Sequence, residues 1–370
     1  MTLHGKGWFI WQIPRCEGGL GNAIASKAAI AGCSHVLIKV AHRAGAFGLD
    51  KDGRDLVPAV VDALRGRGIQ AWGWHYIYGS QPEAEAAIAI QRSMQLKLSG
   101  YVVNAEQEFK LPGMAAPARV FMQKLRTGLP SIPIALSSYR YPSLHREFPW
   151  RAFLEKCDLA MPQVYWEMAH NPDQQLARSV KEFSDGSLVG APRPVVPTGS
   201  AYGNNGWCAA PSEVTAFLDQ AVKLKLEAAN LYSWDYATSA GNTGLWDAAA
   251  AFEWPAPAGG DIVEHYFAAL NSGDPRQVLA TYQASAAHVT AARTVVGVEK
   301  IGPWYEDLLL RKLTGAKFTV MESSGTGSSR HFRWQAQGPA GFVTDGDDTL
   351  GLRDGLIQYH YTYFTIRSNA

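Results

Sequence analysis

The stretch Tyr101-Val-Val-Asn-Ala-Glu-Gln-Glu108 has the pattern of a buried strand that ends in acids. Successive side chains of a strand point to opposite faces, so the even-numbered positions share one face. Because the odd-numbered positions are apolar through residue 105, we expect them to pack on helices and the even-numbered ones to face an interior. The polar members of the even-numbered set are Asn104, Glu106 and Glu108.

Seven similar apolar, β-branched or aromatic runs occur in the first 253 residues, and an amphipathic stretch follows each one. Several of these stretches begin with helix-start chemistry, as in Gln81-Pro-Glu-Ala-Glu85. Eight strand–helix repeats in about 250 residues match the size of an α/β (β/α)8 TIM-type barrel. The predicted strands cover residues 8–13, 35–41, 70–78, 101–105, 132–137, 158–165, 194–198 and 229–234.

A doubly wound open sheet is the alternative architecture for the first part of the chain. Such a sheet normally carries a glycine-rich phosphate turn after its first strand. Residues 14–21 read Pro-Arg-Cys-Glu-Gly-Gly-Leu-Gly, which is rich in glycine but contains neither G-x-G-x-x-G nor G-x-x-x-x-G-K-S/T. The barrel is therefore the favoured prediction.

A Pro- and Gly-rich segment at residues 254–260 predicts a linker between two domains, residues 1–253 and 261–370. The second domain shows helical patterns at 261–271, 275–282 and 298–311. Period-2 patterns follow at 318–322, 331–337, 341–350 and 356–366. This order predicts a small α+β domain, in which Asp345-Gly-Asp-Asp348 is read as a hairpin turn.

The second domain resembles the nuclear transport factor 2-like (SnoaL-like) cone. The resemblance lies in residues 263–274 (Val-Glu-His-Tyr-Phe-Ala-Ala-Leu-Asn-Ser-Gly-Asp), 296–302 and 355–364. That fold serves enzymes, binding cups and dimerisation modules alike, so the resemblance implies a cone shape without a function. We expect a structural appendage or a homodimer-forming module, with a small-ligand pocket as the alternative. The residues expected to line the cone are His288, His331, Arg333, Tyr359, His360 and Tyr361.

Composition narrows the classes of partner. Lys and Arg number 34 against 33 Asp and Glu, a net charge of +1, which argues against a nucleic-acid groove or a polybasic membrane anchor. No apolar run approaches the ~18–20 residues that span a bilayer, and the first residues lack a secretory pattern. We therefore expect a soluble cytoplasmic protein, with release by lysis or non-classical export left open. The four cysteines are far apart and suggest neither a disulfide framework nor a zinc site.

The active site of a (β/α)8 barrel lies at the C-terminal ends of its strands. The polar and aromatic residues at those ends are the candidate site. Carboxylates accept sugar hydroxyl protons and a carboxyl pair can cleave a glycosidic bond, while aromatic faces stack on sugar rings. The candidate catalytic residues are Glu106, Glu108, Glu167 and Asp235. The candidate substrate-binding residues are Trp74, His75, Tyr76, Asn104, Tyr139, Gln163, Tyr165 and Trp234.

These strand ends resemble two families of (β/α)8 glycoside hydrolases. Family 25 lysozymes carry Asp-x-Glu on strand four, where this chain has Asn104-Ala-Glu106, and His35-Val-Leu-Ile-Lys39 is similar to their second strand. Family 18 chitinases carry Asp-x-Asp-x-Glu there, which corresponds to Asn104, Glu106 and Glu108. Their Met-x-Tyr pattern and strand-eight Trp correspond to Gln163-Val-Tyr165 and Trp234.

The resemblance implies acid/base hydrolysis of a glycosidic bond. The likeness to family 25 lysozymes implies Glu106 as the general acid, and the likeness to family 18 chitinases implies Glu108. From the chitinase resemblance, a 2-acetamido group of the substrate could itself act as nucleophile. Two departures weaken the match: Asn104 replaces an acid, and Gln12 stands where family 25 has a strand-one acid.

Four other interpretations stay open. The barrel could bind carbohydrate without cleaving it, or belong to another class of barrel enzyme. The two glutamates could form a solvated strand end or an ion pair with Lys39. His42 and His75 lack metal-site spacing, and the serines lack a G-x-S-x-G elbow, so no metal or cofactor is expected.

Overall fold

The computed structural model describes residues 3–255, 261–325, 327–353 and 355–369. The chain divides into two compact units, the first ending at Trp254 and the second beginning at Pro255, with residues 66–68 grouped with the second. Most of the linker expected at 254–260 lies outside the described residues. Each unit is described separately below.

The first unit is a closed barrel of eight parallel strands, as the repeat pattern predicts. Each strand pairs with its neighbours in chain order, and the first strand pairs with both the second and the last, which closes the barrel. The strands are β1 (Gly5–Ile10), β2 (Cys33–His42), β3 (Gln70–Ile77), β4 (Gly100–Ala105), β5 (Ile134–Tyr139), β6 (Leu159–Val164), β7 (Thr198–Ser200) and β8 (Ala228–Tyr232).

Helices follow the strands and cover the barrel. The helix Pro82–Leu96 begins with proline and two acids in its first turn and ends at Lys97, which has a left-handed backbone conformation. The helices are α1 (Gly21–Ile30), α2 (Val57–Arg65), α3 (Pro82–Leu96), α4 (Ala115–Gly128), α5 (Trp150–Leu154), α6 (Pro172–Phe183), α7 (Gly186–Val189), α8 (Pro211–Lys223), α9 (Trp234–Ala237) and α10 (Thr243–Ala251).

Two separate apolar layers show how strand alternation builds the barrel. One layer fills the barrel interior and includes Val102 of β4, with Leu37, Trp72, Ala135 and Met161 from other strands. The other layer lies between strands and helices and takes the odd-numbered side chains of β4, namely Tyr101, Val103 and Ala105. The expected register of strand four is therefore the observed one.

Glycine allows one close approach inside the barrel. Gly100 pairs with Trp72 across β4 and β3, and a Cβ at Gly100 would lie 2.4 Å from the Trp72 ring. The indole therefore needs the space that a side chain would occupy.

Two predicted elements of the barrel have wrong boundaries. The seventh strand was expected at 194–198 but spans Thr198–Ser200, because Pro194 and Pro197 have no N–H to donate to the ladder. The amphipathic pattern of residues 144–156 predicts a helix over that range, but the α-helix there is the short α5, which Pro149 precedes.

The described residues of the second unit form three helical segments and a six-stranded sheet. The sheet is antiparallel apart from the pair β9–β14, and its strand order is β10-β9-β14-β13-β12-β11. The helical elements are α11 (Ile262–Asn271), α12 (Pro275–Leu279) and α13 (Val298–Asp307), which a π-helical turn continues to Lys312. The strands are β9 (Tyr282–Val289), β10 (Thr294–Val296), β11 (Lys317–Ser324), β12 (Ser329–Gln337), β13 (Phe342–Arg353) and β14 (Leu356–Tyr363).

The hairpin turn predicted at Asp345–Asp348 is wrong, because these residues lie inside β13. Asp348 is fully buried and accepts hydrogen bonds from Trp334 Nε1 at 2.9 Å, Thr362 Oγ1 at 2.6 Å and His360 Nε2 at 2.8 Å. These partners come from other strands, so their bonds hold a turn-like composition in an extended conformation.

The sequence also misplaces parts of the second unit near residue 282. The helix expected over 275–282 ends at Leu279, and the strands β9 and β10 were not expected at all. β9 is rich in alanine, so its strand conformation comes from pairing with its neighbours rather than from local preference. Of the residues expected to line the cone, His288 and His360 are buried and Tyr361 is half-buried. His331, Arg333 and Tyr359 are exposed.

Across the described ranges, no helix combines the length and the apolar character that a membrane span requires. All four cysteines are free thiols, and three of them are buried.

Candidate functional site

A hydrogen-bond network joins the ends of β4, β5 and β6 at the barrel mouth. Gln163 Nε2 donates to Asn104 Oδ1 at 2.9 Å and to Glu106 Oε1 at 2.9 Å, and it lies 3.3 Å from Ser137 Oγ. Asn104 is buried, whereas Glu106 and Gln163 are half-buried. The network fixes the Glu106 carboxyl at the opening of the barrel, where strand alternation places it.

Burial is the largest influence on the Glu106 carboxyl and raises its pKa. Hydrogen bonds with Gln163 and Asn104 act in the opposite direction, while the Glu108 carboxylate raises the pKa further and Lys39 lowers it. The net shift is upward, which favours the protonated acid.

Glu108 reaches the mouth from a short 3-10 helix, Gln107–Lys110, rather than from strand four itself. The Tyr76 hydroxyl at the end of β3 donates to Glu108 Oε2 at 3.0 Å. Burial and the charges of Glu106 and Glu108 raise the pKa of Tyr76, so this phenol stays protonated. Tyr76 thus ties Glu108 to the same opening as Glu106.

Lys39 comes from β2 and is only 7% exposed. Its Nζ lies 4.8 Å from the ring centroid of Trp74, 4.4 Å from that of Phe47 and 6.0 Å from that of Trp11. Burial lowers the pKa of Lys39 to about 8, against the opposing effect of the Glu106 carboxyl. Within the described parts of the chain, no ion pair of 4.0 Å or less joins Lys39 to Glu106 or Glu108.

Asp235 follows β8 in the short helix α9 and is buried. Its Oδ1 accepts the backbone N–H of Trp11 at 2.9 Å, and burial raises the pKa of its carboxyl. Tyr232 is close enough to both Asp235 and Glu106 to respond to their charges. Burial and the charges of these two carboxylates all raise the pKa of its hydroxyl. The mouth therefore contains a second carboxyl with a raised pKa besides that of Glu106.

Aromatic rings form much of the wall of the mouth. Tyr165 has its ring centroid 5.9 Å from that of Tyr232 and 5.4 Å from that of Tyr202. On the other side, Tyr139 stacks on His145 at 3.9 Å, and burial with the nearby glutamates raises the pKa of Tyr139 to about 12. These half-buried rings present apolar faces beside hydroxyl groups.

Two predicted site residues turn away from the mouth. His75 is an odd-numbered residue of β3, so it points to the helix layer, where it packs on Tyr101 and Phe121. Trp234 also packs in the outer layer, against Trp246, and its indole donates to Glu17 Oε2 at 2.7 Å. Strand β8 ends at Tyr232, so strand alternation no longer predicts the orientation of residue 234.

Two further predicted residues lie near the mouth but are engaged elsewhere. Trp74 faces the barrel interior, is 4% exposed and donates from Nε1 to the Ile10 carbonyl at 2.9 Å. Glu167 accepts hydrogen bonds from Tyr202 at 3.0 Å and Asn204 at 2.8 Å, and so anchors the loop after β7. Glu167 is thus held by a surface loop rather than by the Glu106 network.

The structure brings nine polar and aromatic groups together at the mouth: Lys39, Tyr76, Asn104, Glu106, Glu108, Tyr139, Gln163, Tyr165 and Asp235. Trp11 and Tyr232 also lie at the mouth, although neither is among the predicted site residues. Both could have been found from the strand ends, since Trp11 follows the last residue of β1 and Tyr232 shares its face with the interior residue Ala228.

The described residues contain no cluster of three His, Cys, Asp or Glu side chains suited to a metal ion. A depression of about 550 Å³ lies on the outer surface at α3, α4 and α5, and it includes none of the mouth residues. We place the site at the mouth because buried titratable groups converge there, whereas the depression is open and lined mainly by solvated side chains. Its lining residues are Glu83, Arg119, Val120, Gln123, Lys124, Ala152, Glu155 and Lys156.

No protein-family model matches the chain, and no curated protein matches it. Solved structures similar to part of it include an NTF2-like protein of unknown function from Cytophaga hutchinsonii, with 14% identity and a TM-score of 0.24, over 28% of this chain and 87% of that one. A putative ketosteroid isomerase from Kribbella flavida has 14% identity and a TM-score of 0.25, over 30% and 78%. A putative polyketide cyclase from Sinorhizobium meliloti has 24% identity and a TM-score of 0.25, over 28% and 94%.

These scores and identities carry no activity over to this chain. The resemblance of the barrel to glycoside hydrolases therefore rests on the residues at the strand ends alone.

Proposed function

We propose that the barrel mouth binds a glycan and hydrolyses a glycosidic bond, with Glu106 as the general acid. Three features of Glu106 support this role. It is a half-buried carboxyl at the opening, Gln163 donates a hydrogen bond to it, and its raised pKa favours the protonated form. A general acid must carry its proton near neutral pH and present it to the leaving oxygen.

In the proposed reaction, Glu106 donates its proton to the glycosidic oxygen as the bond between that oxygen and the anomeric carbon breaks. Water then adds to the anomeric carbon and returns a proton to the Glu106 carboxylate. The second group that stabilises the charged sugar is Asp235 or Glu108, or the 2-acetamido carbonyl of the substrate itself. The surrounding rings of Tyr139 and Tyr165 would contact the faces of the sugar.

Glu108 is the alternative acid, in keeping with its position in the chitinase-type pattern. Its Oε2 accepts a hydrogen bond from the Tyr76 hydroxyl at 3.0 Å, and it lies in the 3-10 helix that follows strand four. We prefer Glu106 as the proton donor because burial raises the pKa of its carboxyl.

A carbohydrate-binding barrel without hydrolysis is the second candidate function. Asn104 favours it, because a neutral amide stands where both resembling families have an acid. Gln163 bonds Asn104 and Glu106 with the same nitrogen, and such a network can also serve a purely binding role.

The test is a panel of chitooligosaccharides, peptidoglycan and α- and β-linked aryl glycosides, offered to the wild type and to Glu106→Gln and Glu108→Gln. We expect Glu106→Gln to lower kcat by about 10²–10⁴-fold. Glu227→Gln is the matched control, because Glu227 is exposed and precedes β8 at the opposite end of the barrel.

Turnover that neither mouth substitution changes would contradict the proposed mechanism. Glycan binding by the wild type without any turnover would favour the binding barrel instead.

A further inference from the structure

Lys39 is a buried cation that no anion contacts. Its ammonium group has three N–H donors, yet among the described residues it makes no hydrogen bond of 3.5 Å or less and no ion pair of 4.0 Å or less. Lys39 is only 7% exposed, and removing a cation from water costs free energy that a bound anion would offset. A negatively charged ligand that enters the mouth would supply this partner.

The aromatic rings around Lys39 do not supply that partner. Trp74 and Phe47 present their faces to Nζ and stabilise its positive charge by cation–π attraction. Ring faces accept no conventional hydrogen bond, so the donors stay available. Among the described residues, Lys39 Nζ has no hydrogen-bond partner and yet is not fully enclosed, so it keeps access to solvent.

Glu106 is the carboxyl that acts electrostatically on Lys39, and it is a poor internal counter-ion. Its carboxyl acts on Lys39 electrostatically but makes no ion pair with it. Burial raises the pKa of Glu106, which disfavours its charged form, whereas Lys39 with a pKa of about 8 remains mostly protonated at neutral pH. The other charged groups on this side are His42, whose pKa is lowered by burial and by Lys39, the exposed Arg43, and Glu108. Glu108 acts on His42 and accepts a hydrogen bond from Tyr76, but it makes no ion pair with Lys39 among the described residues.

We infer that Lys39 binds an anionic substituent of the glycan, so that the substrate is an acidic sugar bearing a carboxylate or a sulfate ester. The inference rests on the proposed function and names the substrate class of the same site. Trp11 supports it, because its indole is 38% exposed and lies 6.0 Å from Lys39 Nζ. A sugar ring stacked on Trp11 brings a substituent within reach of the ammonium group.

An anion at Lys39 would also serve the reaction. A negative charge near Glu106 raises the pKa of that carboxyl and keeps the proton on the general acid. The same negative charge pairs with Lys39 and offsets the free-energy cost of burying that cation. Substrate binding and protonation of Glu106 therefore favour each other.

The experiment compares binding of three monosaccharide probes to the full chain: methyl β-glucuronide, methyl β-glucoside and glucose 6-sulfate. The first two differ only in the carboxylate at C6. We expect the wild type to bind the glucuronide or the sulfate ester about tenfold more tightly than the glucoside, the gain expected of a hydrogen bond to a charged group. Tighter binding of the glucuronide assigns the carboxylate, and tighter binding of the 6-sulfate assigns the sulfate ester.

Lys39→Met keeps an unbranched side chain against the aromatic rings and removes the charge, so it should abolish the preference for the anionic probe. Lys39→Arg should keep most of it. Lys181→Met is the charge-matched control, because Lys181 is exposed on α6. Equal affinity of the wild type for all three probes, absence of any binding, or an unchanged preference in folded Lys39→Met would overturn the inference.

The two proposals fail in different ways. Glycan turnover that depends on Glu106 but shows no anionic preference refutes the role of Lys39 and leaves hydrolysis in place. Preference for an anionic probe that depends on Lys39, without turnover of any glycan, supports the anion subsite and contradicts hydrolysis.

Discussion

Gln163 donates a 2.9 Å hydrogen bond to Glu106 across the barrel mouth, and so connects the end of β6 to the end of β4. The same amide nitrogen is bonded to Asn104. The orientation of the Glu106 carboxyl is therefore set by a residue about 60 positions away in the chain. The same residue also influences the pKa of that carboxyl.

We predict opposite shifts of the Glu106 pKa in two variants. Glu108→Gln removes a negative charge that raises the pKa, so the pKa falls. Gln163→Met removes a hydrogen bond that lowers the pKa, so the pKa rises. Infrared or carbon NMR titration of the carboxyl measures both shifts without reference to activity. If hydrolysis occurs, the alkaline limb of kcat/KM should move in the same directions. Shifts of the same sign in both variants would contradict the assignment.

Two adjacent aspartates of β13 should differ strongly in their contribution to stability. Asp348 is buried and accepts three hydrogen bonds, so Asp348→Ala should lower the free energy of unfolding of the second unit by about 3–5 kcal/mol. Asp347 pairs with His331 at the surface, so Asp347→Ala should cost about 1 kcal/mol or less. Urea unfolding of both variants measures the difference. Similar losses in the two would show that the buried network is not what holds Asp348 in the strand.

Burial of His75 makes the barrel sensitive to acid. Desolvation lowers the pKa of this ring to about 3, so between pH 6.5 and 3 the unfolded chain binds a proton that the folded chain does not. The contribution of the neutral His75 ring to the free energy of unfolding is complete above pH 6.5. It falls as the pH decreases through this range, by up to about 1.4 kcal/mol per pH unit.

The variant His75→Phe should reduce that slope, as measured by urea unfolding at several pH values between 7 and 4. It also loses the hydrogen bond between Nε2 and the Arg43 carbonyl, so its stability at pH 7 should decrease by about 1 kcal/mol. His331→Phe is the control at an exposed ring. An undiminished slope in His75→Phe would be evidence against the buried neutral histidine.

Arg92 should be one of the most costly charged residues to remove from the barrel. It is 4% exposed, makes two hydrogen bonds with Asp55 and donates from Nε to the Val40 carbonyl at 3.1 Å. Arg92→Met breaks a largely buried pair, at a cost of about 3–5 kcal/mol, or a decrease in Tm of roughly 6–20 °C. The control Arg65→Met breaks a more exposed pair with Asp62 and should lower Tm by only a few degrees. Equal decreases would rule out burial as the source of the effect.

The sequence by itself determined the barrel and the register of its fourth strand. Runs with period 2 and period 3.6 alternate eight times, and these periods follow from local backbone geometry, so they are readable without knowledge of the fold. The same alternation placed Asn104 and Glu106 at the mouth, since a strand buried on both faces offers its polar end residues only one open direction.

Only the tertiary structure decided which of the other candidates share the site. Trp234 turned to the outer layer because the strand ended two residues earlier, and Glu167 was taken by Tyr202 and Asn204 from a loop. Asp348 lies in a strand instead of a turn because three donors from other parts of the chain meet its carboxylate. Such outcomes depend on partners far away in sequence, whose positions exist only once the chain has folded.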